Sequence, residues 1–192
     1  MKRIAFALIA ALLFQGAAVF AQDYKAVAEK TVLRWSGKKV GKNHFGQIKL
    51  KEGSYTIKGD KFTAGTFVID MNSIVVEDLT DPTWNGRLLG HLKSDDFFSV
   101  EKFPTATLTI KESTKFKDDV STVTADLTIK GKTHPVTFTA KRILDGTFQA
   151  TVVFDRSLYE VKYASGQFFS DLGDNAIDDM IPIDVTLVGV KK

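Results

Sequence analysis

The stretch Thr122-Val123-Thr124-Ala125-Asp126-Leu127-Thr128-Ile129 alternates polar and apolar residues without a break. Side chains on a β-strand point alternately to its two faces, so this run predicts a strand with one wet face and one dry face. The same alternation recurs in residues 105–110, 136–140, 148–154 and 181–187. Successive strands with one dry face each predict an all-β protein whose strands enclose a shared apolar interior.

Turn signals separate these runs. Asp145-Gly146 is typical of a two-residue hairpin, because both residue types tolerate the positive φ that such a turn requires. Glu52-Gly53, Gly59-Asp60 and Lys130-Gly131 mark other boundaries in the same way. About nine strand candidates joined by short turns indicate successive antiparallel hairpins, which form either a sandwich or a barrel.

One segment has the pattern of a helix. Asp81 suits the N-cap and Pro82 suits the first helical position, where its missing N–H is not needed. Trp84, Leu88 and Leu92 follow at intervals of four and predict one apolar helix face. We expect this short helix to lie as a lid over apolar surface.

The N-terminus has the features of a secretory signal peptide. Lys2-Arg3 is followed by an almost wholly apolar run over residues 4–14, and Ala21 precedes a plausible cleavage point. The apolar run is shorter than the roughly 20 residues of a membrane-spanning helix, and no later segment is apolar enough to span. The sequence therefore predicts a signal peptide over residues 1–21, cut after Ala21, and a periplasmic or secreted protein without a transmembrane segment in its mature chain.

Composition bounds the mature protein further. Removal of residues 1–21 from the 192-residue chain leaves 171 residues, which suit one domain over residues 22–192. The leader carries two of the 26 basic residues and no acidic one, which leaves 24 basic against 23 acidic residues. A balanced charge gives no reason to expect nucleic acid as a partner. The absence of cysteine excludes disulfides, thiolate metal sites and acylation as a lipoprotein.

Five motifs, which lie in order along nearly the whole mature chain, resemble the YceI family of secreted, lipid-binding barrel proteins. They are residues 35–41 (Trp-Ser-Gly-Lys-Lys-Val-Gly), residues 67–74, residues 90–107, residues 126–131 and residues 166–174. The resemblance implies an antiparallel lipocalin-like β-barrel of about eight strands with one short lid helix. It also implies an elongated apolar tunnel that holds a polyisoprenoid-type lipid, in a carrier that needs no other cofactor and is not an enzyme. Monomer and homodimer both remain open.

Strand alternation, together with the helix and the late aromatic loop, assigns residues to the wall of that tunnel. They are Trp35, Phe67, Ile69, Leu88, Leu92, Phe97, Phe98, Leu108, Ile110, Phe138, Phe148, Phe154, Phe168 and Phe169. A register slip of one residue would turn a whole strand around. The pattern alone also allows a barrel filled by its own side chains, which would serve as a structural or partner-binding envelope module.

A charged cluster near the end of the predicted helix has two interpretations. Arg87, His91 and Lys93 would meet the head group of an amphiphile if they lay at the barrel mouth. Alternatively, the cluster is structural: Ser94 caps a short turn, Asp95 and Asp96 satisfy its N–H groups, and the cations complement the helix C-terminus. We favour the structural interpretation.

Catalytic and metal sites have little support in the sequence. His44, His91 and His134 are scattered and match no zinc motif, and Ser165 lacks the flanking glycine of a nucleophile elbow. An acid–base pair of His91 with Asp95 or Asp96 is the remaining enzyme hypothesis. An acidic group near the C-terminus lacks calcium-loop spacing and is interpreted as a solvated loop; it consists of Asp171, Asp174, Asp178 and Asp179, with Asn175.

Overall fold

The computed structural model describes residues 20–192, so nearly all of the predicted signal peptide lies outside the described residues. The described part contains nine β-strands and one α-helix. In chain order they are β1 (Gln22–Ala26), β2 (Val32–Lys39), β3 (Lys42–Ile57), β4 (Phe62–Val76), α1 (Pro82–Lys93), β5 (Thr105–Ser113), β6 (Val120–Ile129), β7 (Lys132–Leu144), β8 (Thr147–Asp155) and β9 (Met180–Lys191).

The strands form a closed barrel in which all neighbours are antiparallel. From β4 to β9 the order follows the chain, and β3 pairs with β4 on one side and with β1 and β2 on the other. Both β1 and β2 also pair with β9, so together they occupy one position in the barrel, interrupted by a short 3₁₀ turn at Ala28–Lys30. The nine strands therefore make eight barrel positions, which confirms the predicted antiparallel barrel with one short helix.

The alternating faces lie where the sequence predicts them. In β6, Val123, Ala125, Leu127 and Ile129 are all buried in the barrel interior. Val123 pairs with Phe138 and Ala125 pairs with Val136 across the β6–β7 ladder, so the dry faces of both strands point the same way. The threonines between them point outward. Register was therefore set by the need to bury one face of each strand.

One end of the barrel is closed by aromatic side chains, which we call the plug: Tyr24, Tyr55, Phe62, Phe116 and Phe148. The rings of Tyr24 and Tyr55 stack with centroids 4.9 Å apart, and Phe62 and Phe148 pack at 4.9 Å. The Tyr55 hydroxyl donates to the Gly146 carbonyl at 2.8 Å, and the Tyr24 hydroxyl donates to Asp145 Oδ1 at 2.7 Å. Each buried tyrosine thus keeps a polar partner while its ring fills the barrel.

Helix α1 lies at the opposite end. Asp81 is its N-cap and accepts from the backbone N–H groups of Thr83 and Trp84, as predicted. Leu88 and Leu92 pack on the core, but Trp84 is 58% exposed, so the predicted three-residue face is wrong at its first member. Residues at i, i+4 and i+8 drift about 80° around a helix, which carries Trp84 off the buried stripe. Within residues 20–192, no helix combines the length and apolarity that a membrane crossing requires.

Two glycines should respond to alanine in opposite directions. A Cβ on Gly189 would overlap the Tyr55 hydroxyl, whereas a Cβ on Gly86 would meet nothing within 4 Å. We expect Gly189→Ala to lower the free energy of unfolding by about 1–3 kcal/mol, because the plug must shift. Gly86→Ala should raise it by about 1 kcal/mol through helix propensity. Urea unfolding of both variants measures this, and equal effects would contradict the packing described for the plug.

Candidate functional site

An apolar cavity of about 400 Å³ lies inside the barrel between the plug and α1. Its wall runs along β8 from Phe148 of the plug to Phe154 near α1, about 20 Å of strand. Small alanines, Ala106, Ala140 and Ala150, face the cavity where larger side chains would have filled it. The volume lies within the range of about 300–1,000 Å³ that is typical of small-molecule sites.

The structure places twelve of the fourteen predicted wall residues on this cavity. They are Trp35, Phe67, Ile69, Leu88, Leu92, Phe97, Phe98, Leu108, Ile110, Phe138, Phe148 and Phe154. They come from α1, the segment after it and five of the strands, and closure of the sheet brings them together. Their contact with a ligand stays a prediction.

Phe168 and Phe169 do not line the cavity, which corrects their predicted placement. They are 43% and 49% exposed, and the Lys162 ammonium lies 5.1 Å from the ring centroid of Phe168. Their turn is held through its backbone: the N–H groups of both residues donate to the Ser165 carbonyl at 3.1 Å. The Ser165 hydroxyl donates to Asp179 Oδ2 at 2.9 Å. Buried Ser165 therefore anchors the turn and leaves both rings on its outer side.

Of the three predicted head-group residues, only His91 lies on the cavity wall. His91 reaches the cavity wall, where its ring meets the Tyr163 ring edge-on at 4.3 Å. Arg87 instead covers Trp84 at 4.8 Å, and the Lys93 ammonium donates to the Asn72 carbonyl at 2.7 Å. Neither Arg87 nor Lys93 is among the wall residues.

The segment after α1 forms a structural turn, as the sequence interpretation favoured. Asp95 and Asp96 do not satisfy its N–H groups, which corrects their predicted role, because the N–H groups of Phe97 and Ser99 donate to the Ser94 carbonyl. Ser94 ends the helix, and its hydroxyl donates to the His91 carbonyl at 2.8 Å. Asp95 pairs with Lys102, whose ammonium donates to it and holds the pKa of the Asp95 carboxyl below its usual range. Asp96 lies 3.9 Å from His91 Nε2 and is mostly exposed. These contacts hold the turn together. Among the described residues, they bring no carboxylate other than that of Asp96 close to the His91 ring.

Sequence reasoning missed the polar part of the wall. We call the end of the barrel at α1 the mouth; there Lys38, Lys39 and His44 of the β2–β3 hairpin join Tyr163 and Ile177 on the cavity wall. Lys39 pairs with Ile177 through an isolated bridge, and its ammonium donates to Asn175 at 3.0 Å. The hairpin itself was recognisable from Gly41. No local pattern predicts the contact between Lys39 and a segment more than a hundred residues later.

His44 is held by a carboxylate. Its Nδ1 lies 2.7 Å from Asp78 Oδ2, while Asp78 Oδ1 accepts from the Phe45 N–H at 2.9 Å. Burial opposes ionisation of Asp78, but the hydrogen bonds from Phe45 and His44 outweigh it and lower the pKa of this carboxyl. The pair fixes the start of β3 against the segment before α1, on one side of the mouth.

Arg156 organises the other side of the mouth. Its side chain is completely buried and donates to the carbonyls of Val161, Tyr163, Ile177 and Asp178 at 2.8–3.2 Å. Its Nη2 also lies 3.1 Å from Asp179 Oδ1, an ion-pair distance without hydrogen-bond alignment. Burial lowers the pKa of the guanidinium, and Asp179 opposes this change. One cation thus ties both ends of residues 160–179 to the barrel.

The residues considered for metal or acid–base chemistry are spread out. His134 packs edge-on against Tyr159 at 5.2 Å, His44 pairs with Asp78, and His91 lies beside Tyr163. In the part of the chain that the structure describes, no three His, Asp or Glu side chains are grouped as metal ligands. Of the acidic group near the C-terminus, Asp179 is engaged by Arg156 and Ser165.

A closed antiparallel barrel with a plug at one end, a helix at the other and an apolar cavity between them defines a lipocalin-like barrel. The chain belongs to the YceI-like domain family, which matches residues 24–189. Protein YceI of Escherichia coli O17:K52:H18 is 31% identical over 140 residues, covering 71% of this chain and 70% of that protein. A UPF0312 protein of Pseudomonas aeruginosa LESB58 is 31% identical over 150 residues, covering 76% and 74%.

Solved structures share the fold. BcnA of Burkholderia cenocepacia superposes with a TM-score of 0.66 at 23% identity, over 84% of this chain and 98% of that one. A polyisoprenoid binding domain from Saccharophagus degradans, implicated in plant cell wall breakdown, gives a TM-score of 0.55 at 18% identity, over 88% and 98%. At these identities the likeness shows the barrel architecture alone.

The role of Arg156 can be measured directly. Arg156→Met should lower the free energy of unfolding by about 3 kcal/mol or more, because it leaves Asp179 and several carbonyls without their partner. Amide hydrogen exchange should accelerate most in residues 160–179. Arg34→Met is the matched control, since the Arg34 side chain is 59% exposed and reaches Glu77 only at 3.9 Å; its effect should stay below about 1 kcal/mol. Similar effects of the two substitutions would refute the anchoring role.

Proposed function

We propose that this protein binds an amphiphile with a long apolar tail, of the polyisoprenoid class, inside the barrel and carries or sequesters it. The observation that carries the proposal is the unfilled apolar cavity of about 400 Å³. A protein interior is normally close-packed, so an unfilled space of this size is expected to have an occupant. A barrel of eight strands is wide enough to hold one small ligand.

The shape and chemistry of the cavity favour a tail over a compact polar ligand. The wall is almost wholly apolar from the plug to Leu88 of α1, and its lysine and histidine side chains, such as Lys39 and His91, lie at the mouth. Each methylene transferred from water to such a wall contributes about 0.8 kcal/mol. A long prenyl chain therefore gains more from the depth of the cavity than from any one polar contact, and its head group would remain at the mouth.

The comparisons support the same ligand class. The Saccharophagus degradans domain that shares this fold is described as polyisoprenoid binding. We extend that ligand class to this chain because the wall of its own cavity is almost wholly apolar. The proposed role is that of a carrier or sequestering protein and not of a catalyst, with the lipid as ligand and no other cofactor.

The proposed location follows from the sequence of the leader. A cleaved signal peptide over residues 1–21 would deliver the barrel to the periplasm or beyond the cell. Protein of the full chain should therefore be recovered from that compartment with Gln22 at its N-terminus. A carrier there would move or protect lipids whose tails cannot stay in water.

The ligand can be identified by extraction. Protein purified from its native compartment without detergent is extracted with organic solvent, and the extract is analysed by mass spectrometry. Prenyl lipid at about one equivalent per barrel is the expected result for a single internal site. An extract without lipid, from protein that also fails to take up added prenyl lipid, would refute the proposal and favour a module that binds a partner protein.

Adjacent residues of β7 provide a matched test of the wall. Phe138 faces the cavity, and Thr137 is exposed on the outer face of the same strand. Phe138→Asp should weaken prenyl-lipid uptake about tenfold or more, because it places a carboxylate against the tail, whereas Thr137→Asp should leave uptake unchanged. Leu108→Trp, which fills the cavity without adding charge, should also weaken uptake. Urea unfolding checks that each variant is folded, and equal uptake by all of them would locate the ligand elsewhere.

A further inference from the structure

Large apolar side chains stand exposed around the mouth of the barrel. Trp84 is 58% exposed, Val40 is 62% exposed, and Tyr163, Phe168 and Phe169 are between 43% and 49% exposed. They belong to three separate segments: the β2–β3 turn, the first turn of α1, and the residues that follow Arg156. Large apolar residues are also exposed near the plug, so it is the grouping of these residues around the entrance of an apolar cavity that points to a contact surface.

These segments are continuous with the cavity wall. Tyr163 is both a wall residue and 46% exposed. Trp84 lies one helical turn before Leu88, which faces the cavity. Lys39 and Ile177, which adjoin Val40 and the segment of Phe168, form part of the wall and are bridged to each other. The exposed groups therefore surround the entrance through which a ligand would pass.

Cations accompany the exposed groups. The Arg87 guanidinium lies 4.8 Å from the Trp84 ring centroid, and the Lys162 ammonium lies 5.1 Å from that of Phe168. Val40 directly follows Lys38 and Lys39. Aromatic side chains with basic neighbours are typical of surfaces that rest among lipid head groups, where rings enter the interface and cations meet phosphates.

We propose that the mouth of the barrel docks on the surface of a lipid bilayer, with Trp84, Phe168 and Phe169 inserted among the head groups. The inference rests on the proposed function, because a ligand with a long apolar tail must come from a bilayer or return to one. Docking by the mouth would let the tail pass between membrane and cavity without crossing water.

The arrangement suits a fluid layer better than a second protein. Three separate segments each present isolated large side chains, and a bilayer can deform around them, whereas a protein partner would need a matching pocket for each. Asp171 and Asp174 lie in the same segment as Phe168, so the surface carries both signs of charge. The apolar contribution should therefore dominate, and binding should depend only modestly on salt and on anionic lipid.

Vesicle flotation tests the proposal. The mature chain should float with vesicles of phosphatidylethanolamine and phosphatidylglycerol, and also with vesicles of phosphatidylcholine alone. The double variant Trp84→Ser, Phe169→Ser should lose about tenfold or more in affinity, because two inserted aromatic groups are removed. The matched control is Leu144→Ser, Val190→Ser, two exposed apolar residues near the plug, and it should bind as the unchanged chain does.

Tryptophan emission gives a second readout. The chain has two tryptophans, and Trp35 lies on the cavity wall with its Nε1 donating to the Val75 carbonyl at 3.1 Å. The spectral difference between the chain and Trp84→Phe therefore reports Trp84. A blue shift of that difference on addition of vesicles supports insertion, and an unchanged spectrum contradicts it.

Other occupants of the surface give distinct results. A stable dimer in vesicle-free solution that Trp84→Ser, Phe169→Ser dissolves would show that a second copy covers the mouth, and would overturn the proposal. Equal loss of flotation in the variant and in the plug-end control would overturn it too. Extracted protein that contains prenyl lipid but does not float would refute docking alone, whereas flotation by protein that never binds lipid would refute the proposed function and leave docking intact.

Discussion

The barrel of eight strand positions closes because β4 pairs with β3, and β9 pairs with the interrupted strand that β1 and β2 form. Closure gives every strand a hydrogen-bonded neighbour on each side, so no side chain is needed to bridge the interior. The width of the barrel is then fixed, and side-chain size alone decides how much of it is filled. Aromatic rings fill it at the plug, and alanines such as Ala106 and Ala140 leave it open farther along.

The mouth depends on a different kind of interaction. Residues 160–179 contain little regular structure, and their position relies on carbonyl groups gathered around the buried Arg156. Burying a guanidinium is unfavourable unless its donors are met, and here four carbonyls and Asp179 surround it. The aromatic residues that such a segment displays are therefore placed by polar contacts beneath them and not by packing of their own rings.

The sequence predicts those features of the fold that depend on residue periodicity and on local capping. Alternation gave the inward faces of β6, β7 and β9, and the Asp81-Pro82 cap gave the start of α1. It was insufficient where orientation depends on distant contacts. Phe168 and Phe169 look like wall residues until Ser165 and Asp179 are seen to hold their turn, and Trp84 shares the spacing of Leu88 without sharing its environment. The wall positions of Lys39 and Tyr163 likewise arise from tertiary contacts, which no local pattern encodes.

The stacked rings of Tyr24 and Tyr55 also make the barrel a blind-ended tube. An elongated guest that enters along the axis can advance only until it reaches these rings, and it must leave by the route it came. The orientation of such a guest is set when it enters, because the end that enters last stays at the opening and leaves first. In the proposed carrier role, the barrel would not act as a conduit between two compartments, and it would exchange its ligand only by meeting a donor and an acceptor in turn through the same opening.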